Sequence, residues 1–148
     1  MTTEQIEERA ERAMQLFRDG YNCSQAVFAS CADLYGITDR SLALRLASSF
    51  GGGIGRMRAT CGAACGMFML AGLENGSDRP HDNEGKMANY ALVQQLAGEY
   101  KNRYGSLICA ELLGLQPCAD CHKAPCVEMV GEAVRIFLRF SSYGQMAK

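Results

Sequence analysis

The segment at residues 61–73 constrains the fold most, because it has no charged residue and is apolar on every side of a helical projection. A helix of this kind is stable in water only when other segments surround it. The segment is also too short to cross a bilayer, which takes about 20 residues. It therefore predicts a buried central helix inside a bundle.

Helical periodicity and the residues typical of helix ends predict where the other helices begin and end. Apolar residues recur at helical spacing before residue 20, and Asn22, Asp39 and Thr60 can each cap a following helix. After the first helix, the predicted helices cover about residues 23–35, 40–49, 61–73, 83–103, 107–113 and 125–142. On the longest of these, the predicted inner face carries Met87, Tyr90, Ala91, Gln94, Ala97 and Tyr100. No segment alternates with period two, so the sequence predicts an all-α fold, a compact single-domain bundle of about six helices over residues 1–148.

Charge and cysteine content limit the classes of function that are expected of this chain. The chain has 15 basic and 16 acidic residues, and no basic block stands out. Nucleic acid and anionic membranes are therefore not expected as partners. The charged, amphipathic N-terminal segment does not resemble a secretory signal, so a cytoplasmic location is expected. Eight cysteines in such a chain indicate metal binding or thiol chemistry.

Four of the eight cysteines lie at predicted helix starts: Cys23, Cys61, Cys109 and Cys126. A helix start presents unpaired N–H groups and the positive end of the helix dipole, which stabilise a thiolate and lower its pKa. Arg56 and Arg58 would add positive charge beside Cys61. The pattern predicts that four helices converge on one anionic or metal-bound centre.

Cys31 and Cys65 lie inside predicted helices, where a cysteine is more often core filler than a functional group. Cys65 follows Cys61 by one turn on the same helix face, so it is also a candidate second thiol.

Cys118 and Cys121 form a C-x-x-C pair between Cys109 and Cys126. Two thiolates on one turn can reach one metal ion, which makes this pair a further metal-ligand candidate. With His122 the pair also spells C-x-x-C-H, the pattern of covalent c-type haem attachment, in which His122 would be the axial ligand. The lack of an export signal argues against haem c.

Glycines flank the central segment. Residues 51–55, followed by Arg56 and Arg58, are compatible with an anion-binding loop, but they follow a helix rather than a strand, and a tight turn with close backbone approach is the preferred interpretation. Gly62 and Gly66 are four residues apart, a spacing that lets another helix or a cofactor approach the backbone. Gly62, Gly66 and Arg56 are therefore the candidate cofactor-binding residues.

Several stretches together carry a family resemblance. They are residues 21–26 (YNCSQA), 50–55 (FGGGIG), 61–66 (CGAACG) and 109–114 (CAELLG), and Cys126 with the helix that follows it. In these stretches the chain resembles the redox-active proteins named for a C…GCAxxG…C…C pattern, and the resemblance gives functional weight to Cys23, Cys61, Cys109 and Cys126. The family is similar to the split-Soret cytochrome c proteins, which carry haem and iron–sulfur centres and form dimers. The segment between Cys109 and Cys126 departs from the common pattern, because it is shortened and has two extra cysteines.

The leading hypothesis is a redox protein whose clustered thiolates bind an iron–sulfur cluster or another metal, or cycle between dithiol and disulfide, with an electron-transfer protein as partner. The metal-ligand candidates are Cys23, Cys61, Cys109 and Cys126, with Cys118 and Cys121 in reserve. In the dithiol version Cys61 is the nucleophile, and Cys65 or Cys109 resolves it. The alternatives are a structural zinc site in a helical interaction module and a c-type haem protein. A homodimer is compatible with the resemblance.

Overall fold

The computed structural model describes residues 1–145, which form helices joined by short turns. The helices are α1 (Thr3–Arg18), α2 (Cys23–Cys31), α3 (Arg40–Ala47), α4 (Gly51–Ile54), α5 (Gly62–Asn75), α6 (Asn83–Tyr104), α7 (Cys109–Leu112), α8 (Cys126–Phe140) and α9 (Ser142–Gln145). Six of these have eight residues or more. No strand occurs within the described range, where an isolated bridge pairs Thr60 with Ile108. The all-α prediction is confirmed.

Side-chain caps fix the starts of several helices. The Asn22 side chain accepts a hydrogen bond from the backbone N–H of Gln25, and the Gln25 side chain accepts one from the N–H of Asn22. Asp39 caps α3 in the same position. Both caps are as predicted, because capping depends on residues within one turn of each other.

Helix α5 lies at the centre of the bundle and packs against α2, α6 and α8. Every residue of α5 from Gly62 to Met67 is buried, as are Leu70 and Ala71. Its last turn reaches the surface, where Leu73 is 36% exposed. The prediction of a buried central helix is confirmed for most of its length.

The predicted inner face of α6 is wrong for four of its six residues, because Met87, Tyr90, Ala91 and Gln94 are exposed, whereas Ala97 is half-buried and Tyr100 is buried. Met87 is 58% exposed and Tyr90 is 49% exposed, whereas Leu96, Tyr100 and Tyr104 are buried. Apolar residues occur on more than one side of this helix, so its sequence does not determine which stripe the rest of the bundle covers.

Helix α5 begins one residue later than predicted. Thr60 does not cap it but pairs with Ile108, and Cys61 takes the cap position without a side-chain hydrogen bond. Two predicted helices end earlier as α-helix and continue as short 3₁₀ turns, at Ala32–Tyr35 and Ser48–Phe50. Among the described residues, no helix is both long and apolar enough to cross a membrane.

Candidate cysteine site

Four cysteines from four separate segments line one cavity of about 240 Å³. They are Cys23, Cys61, Cys109 and Cys126, the four that the sequence placed at helix starts. Cys23, Cys109 and Cys126 are the first residues of α2, α7 and α8, and Cys61 is the cap residue of α5. The bundle therefore brings four helix starts to one place.

Backbone pairing holds Cys61 beside Cys109. The N–H of Cys61 donates to the carbonyl of Leu107 at 2.7 Å, and the N–H of Cys109 donates to the carbonyl of Ala59 at 2.6 Å. These bonds tie the segment before α5 to the segment before α7. Cys61 and Cys109, which are 48 positions apart in the sequence, thus lie on neighbouring backbone segments at the site.

The turn around α4 packs its backbone directly against the site. Gly53 has a φ of +73°, and a Cβ placed there would lie 2.5 Å from the Cβ of Cys109. Ile54, Arg56 and Arg58 also have positive φ values, near +60°. A β-branched residue is strongly disfavoured in this region, and such strain persists where the surrounding structure imposes it, commonly at functional sites. The interpretation of residues 51–55 as a tight turn with close backbone approach is confirmed.

Gly62 and Gly66 have different roles. Gly62 lines the cavity, and a Cβ on it would overlap the Sγ of Cys23. Gly66 faces α2, where a Cβ would lie 2.9 Å from the carbonyl oxygen of Ser24 and from the Cβ of Val27. Gly66, which the sequence analysis names as a candidate cofactor-binding residue, thus packs against α2 and is not part of the cavity lining.

The expectation of a lowered thiol pKa is wrong for two of the four cysteines. Burial raises the pKa of Cys61 to about 11, because the side chain is 7% exposed and a thiolate there loses its hydration. Burial also raises the pKa of Cys126, with Cys23 and Cys109 adding to the effect. The backbone N–H groups of Ala63 and Ala64 oppose the shift at Cys61 but do not outweigh burial.

Tyr100 is a site residue that the sequence analysis missed. Its hydroxyl lies 3.2 Å from the Sγ of Cys61, within hydrogen-bond distance, and either group can be the donor. Burial, followed by the neighbouring Cys61, raises the pKa of Tyr100 well above its ordinary value, so the phenol stays protonated. The sequence places Tyr100 only on the apolar face of a helix, because nothing near Tyr100 in the chain connects it with Cys61, which is 39 positions away.

Two arginines supply positive charge to the cavity. Arg56 and Arg58 both line it, and Nη1 of Arg58 lies 3.7 Å from the Sγ of Cys109. Their charge favours thiolates or another anionic centre in an otherwise apolar cavity.

Cys65 and Cys31 lie outside the cavity lining. The thiol of Cys65 contacts the carbonyl of Thr60 at 3.7 Å, and burial raises its pKa to about 11. Cys31 is fully buried beside Ser30, and burial raises its pKa to about 11 as well. Cys31 belongs to the hydrophobic core cluster, as expected of core filler, whereas Cys65 lies outside that cluster, and Cys61 and Cys23 contribute to the rise of its pKa.

Cys118 and Cys121 form a disulfide outside the cavity. While it is closed, neither sulfur is available as a thiolate ligand or for thioether attachment of haem. His122 is exposed next to it. The structure therefore does not bring this pair to the four cavity cysteines, and its sulfurs lie instead within 4.8 Å of a carboxylate oxygen of Glu111.

The spacing of the cavity sulfurs limits what they can bind together. Within residues 1–145, no three of the four lie within 4.8 Å of one another. A single tetrahedral ion with metal–sulfur bonds of about 2.3 Å needs its sulfurs within about 4 Å of each other. The cavity sulfurs of the described residues therefore lie further apart than the ligands of a single tetrahedral ion.

The comparison with protein families matches residues 21–140 to the family described as "Putative redox-active protein (C_GCAxxG_C_C)". The matched range contains all eight cysteines and the whole cavity lining except Phe17. Neither the comparison with curated proteins nor the comparison with solved structures finds a match.

Proposed function

The chain belongs to the C_GCAxxG_C_C family of redox-active proteins, and from that membership we propose that its four cavity cysteines bind an iron–sulfur cluster that serves in electron transfer. The observation that carries the proposal is the convergence of Cys23, Cys61, Cys109 and Cys126 on one cavity. Four cysteine ligands are the usual complement of such clusters, and a bound cluster would supply a one-electron redox centre.

The protein environment fits this cofactor in three respects. Among the described residues, no three of the four sulfurs lie within 4.8 Å of one another, which leaves more room between them than one tetrahedral ion takes. Arg58 offsets part of the negative charge of four thiolates. Tyr100 can donate a hydrogen bond to the sulfur of Cys61, and such bonds tune the potential of a cluster.

Cycling between dithiol and disulfide is the second candidate function, with Cys61 as nucleophile. The raised pKa and deep burial of Cys61 disfavour it, because the thiolate is the attacking species and needs access to its target. Metal binding does not require a free thiolate beforehand, because the metal ion displaces the thiol proton as it binds.

The partner that this function requires is an electron-transfer protein. The resemblance to dimeric split-Soret cytochromes also makes a homodimer part of the proposal.

Purification without oxygen, followed by a visible spectrum and analysis of iron, acid-labile sulfide and zinc, tests the proposal. Broad charge-transfer absorption with iron and sulfide is the expected result. A colourless protein with stoichiometric zinc would contradict it, and a Soret band would favour haem. A colourless, metal-free protein that also fails to take up iron and sulfide would favour dithiol cycling.

A further inference from the structure

Outside the cavity, three metal-binding side chains meet at one point on the surface. The ligand atoms of Glu111, Cys118 and Cys121 all lie within 4.8 Å of one another, and all three residues are half-buried. Glu111 belongs to α7, whereas the two cysteines lie in the loop between α7 and α8. The cluster is thus built from two segments and is not one local motif.

The Glu111 carboxylate is held in place by a hydrogen bond and has no cation partner in the described part of the chain. The hydroxyl of Ser106, a residue that is 3% exposed, donates to Oε1 of Glu111 at 2.9 Å. The same hydroxyl accepts a hydrogen bond from the N–H of Ile108, which fixes its orientation. Across residues 1–145, Glu111 forms no ion pair with a basic side chain. A half-buried carboxylate that lies near two sulfurs and is paired with no basic side chain of the described residues is a suitable ligand for a metal cation.

The loop that carries the two cysteines is anchored at both ends. The N–H groups of Leu115 and Gln116 donate to the carbonyl of Ala110, and the N–H of His122 donates to the carbonyl of Tyr104. We therefore expect both sulfurs to stay close to Glu111 when the disulfide opens, because the flanking backbone bonds do not depend on it.

We propose that Glu111, Cys118 and Cys121 form a zinc site that is switched by the redox state of the Cys118–Cys121 disulfide. Two equivalents of a monothiol reductant, or one of a dithiol, transfer two electrons and two protons to the disulfide and are themselves oxidised to a disulfide. The two cysteine thiols then release their protons as they bind one Zn²⁺ together with the carboxylate. Two thiolates, one carboxylate and a water molecule complete the tetrahedral coordination that zinc prefers. In the reverse step a disulfide oxidant accepts two electrons from the two thiolates and two protons from water and leaves as two thiols, while the Cys118–Cys121 disulfide re-forms and the ion is released.

Zinc binding at this site would affect the geometry of the cysteine cavity, although the site lies outside that cavity. Glu111 lies two residues after Cys109 on α7, and the loop ends one residue before Cys126. A bond from the loop to Glu111 would therefore tie α7 to the segment that leads into α8, fixing Cys109 relative to Cys126. The zinc site itself does not rest on the proposed cluster.

The test counts zinc bound by the full chain, using competition with a chromophoric chelator. The samples are the phosphine-reduced protein and the protein whose Cys118–Cys121 disulfide has been verified by peptide mass spectrometry. Reduced wild type is expected to bind one zinc ion more than the disulfide form and one more than reduced Cys118→Ser/Cys121→Ser. Glu111→Gln, which keeps both thiols, is expected to weaken that additional ion at least tenfold. Equal zinc binding by reduced wild type and the double variant would overturn the proposal, as would an unchanged affinity in Glu111→Gln.

Binding of zinc by the four cavity cysteines is separated by ¹¹³Cd NMR on reduced wild type. Cadmium bound to two sulfurs and oxygen gives a resonance well upfield of cadmium bound to four sulfurs. The upfield resonance is expected, and it should change its position in Glu111→Gln, because one oxygen ligand is replaced. A resonance of the four-sulfur type alone would overturn the zinc switch, whatever the outcome of the iron–sulfur analysis, and the measurement does not depend on whether the double variant folds.

Discussion

The hydroxyl of Tyr100 lies 3.2 Å from the Sγ of Cys61, and this is the contact by which α6 reaches the cysteine site. The neighbouring Tyr104 is also buried, with its ring centroid 5.1 Å from that of Tyr100, but its hydroxyl has no hydrogen-bond partner among the described residues. The two tyrosines therefore form a matched pair for separating the effect of the hydroxyl from that of the ring.

Tyr100→Phe is expected to lower the free energy of unfolding by about 1 kcal/mol, the typical net contribution of one hydrogen bond. If a cluster is bound, its reduction potential should fall as well, because a hydrogen bond to a sulfur ligand favours the reduced form. Denaturant unfolding and a potentiometric titration measure the two effects. Tyr104→Phe should leave both nearly unchanged, and an equal effect in the two variants would contradict a specific role for Tyr100.

Gly62→Ala is expected to destabilise the protein by about 1–3 kcal/mol, the usual cost of overpacking. The added methyl group would overlap the Sγ of Cys23 and displace it from the cavity. Gly72→Ala is the control on the same helix, because a Cβ there meets nothing within 4 Å. It should raise stability by about 0.5–1 kcal/mol, since alanine favours a helix over glycine. Thermal and denaturant unfolding provide the comparison.

Gly66→Ala separates loss of stability from loss of the site. Its Cβ would press on α2 at Ser24 and Val27 and not on a cavity cysteine. We expect Gly66→Ala to destabilise the fold while the folded fraction keeps full metal binding, whereas Gly62→Ala should lose metal in the folded fraction. The measurement is the metal content per folded chain of each variant after size-exclusion chromatography.

The stability of the reduced, metal-free protein should fall between about pH 9 and pH 11. The pKa of Cys61 rises from 9.0 to about 11 on folding, so over this range the folded thiol keeps a proton that the unfolded thiol has lost. Unfolding then becomes more favourable as pH rises, by up to about 3 kcal/mol for this thiol. Cys61→Ala should have a shallower decline than wild type when unfolding is measured at several pH values. Parallel curves for the two proteins would show that Cys61 is not a buried neutral thiol.

Arg58→Gln is expected to make the reduction potential of a bound cluster more negative. The guanidinium lies beside the Sγ of Cys109, and its positive charge stabilises the more negative, reduced state. Arg58→Lys keeps the charge and should retain most of the potential. A shift of equal size in both variants would indicate that Arg58 acts through packing and not through its charge.

The sequence predicts well what depends on local chemistry. Asn22 and Asp39 cap their helices as expected, and Cys23, Cys109 and Cys126 open theirs, because these features depend on residues within one turn. Cys61 is the cap residue of α5 and not, as predicted, its first residue, because Thr60 pairs with Ile108, which is 48 residues away in the sequence.

The properties that depend on tertiary structure could not be predicted from the local sequence. The direction of the Cys61 pKa shift follows from burial by the whole bundle, which outweighs the effect of the helix start. The contact with Tyr100 follows from which stripe of α6 faces inward, and apolar residues on several sides of that helix leave the choice open. Pairing of Cys118 with Cys121 was equally hidden, because a C-x-x-C spacing is compatible with a metal, a haem or a disulfide.

The most direct test of the account is the iron and acid-labile sulfide bound per chain after anaerobic reconstitution of wild type, of four single Cys→Ser variants and of Cys31→Ser. The four variants replace Cys23, Cys61, Cys109 and Cys126, whereas Cys31 is fully buried away from the cavity and serves as the control. The account predicts iron and sulfide in wild type and in Cys31→Ser, and a loss of most of both in each of the four variants. Full iron and sulfide content in the four variants, or none in wild type, would contradict it.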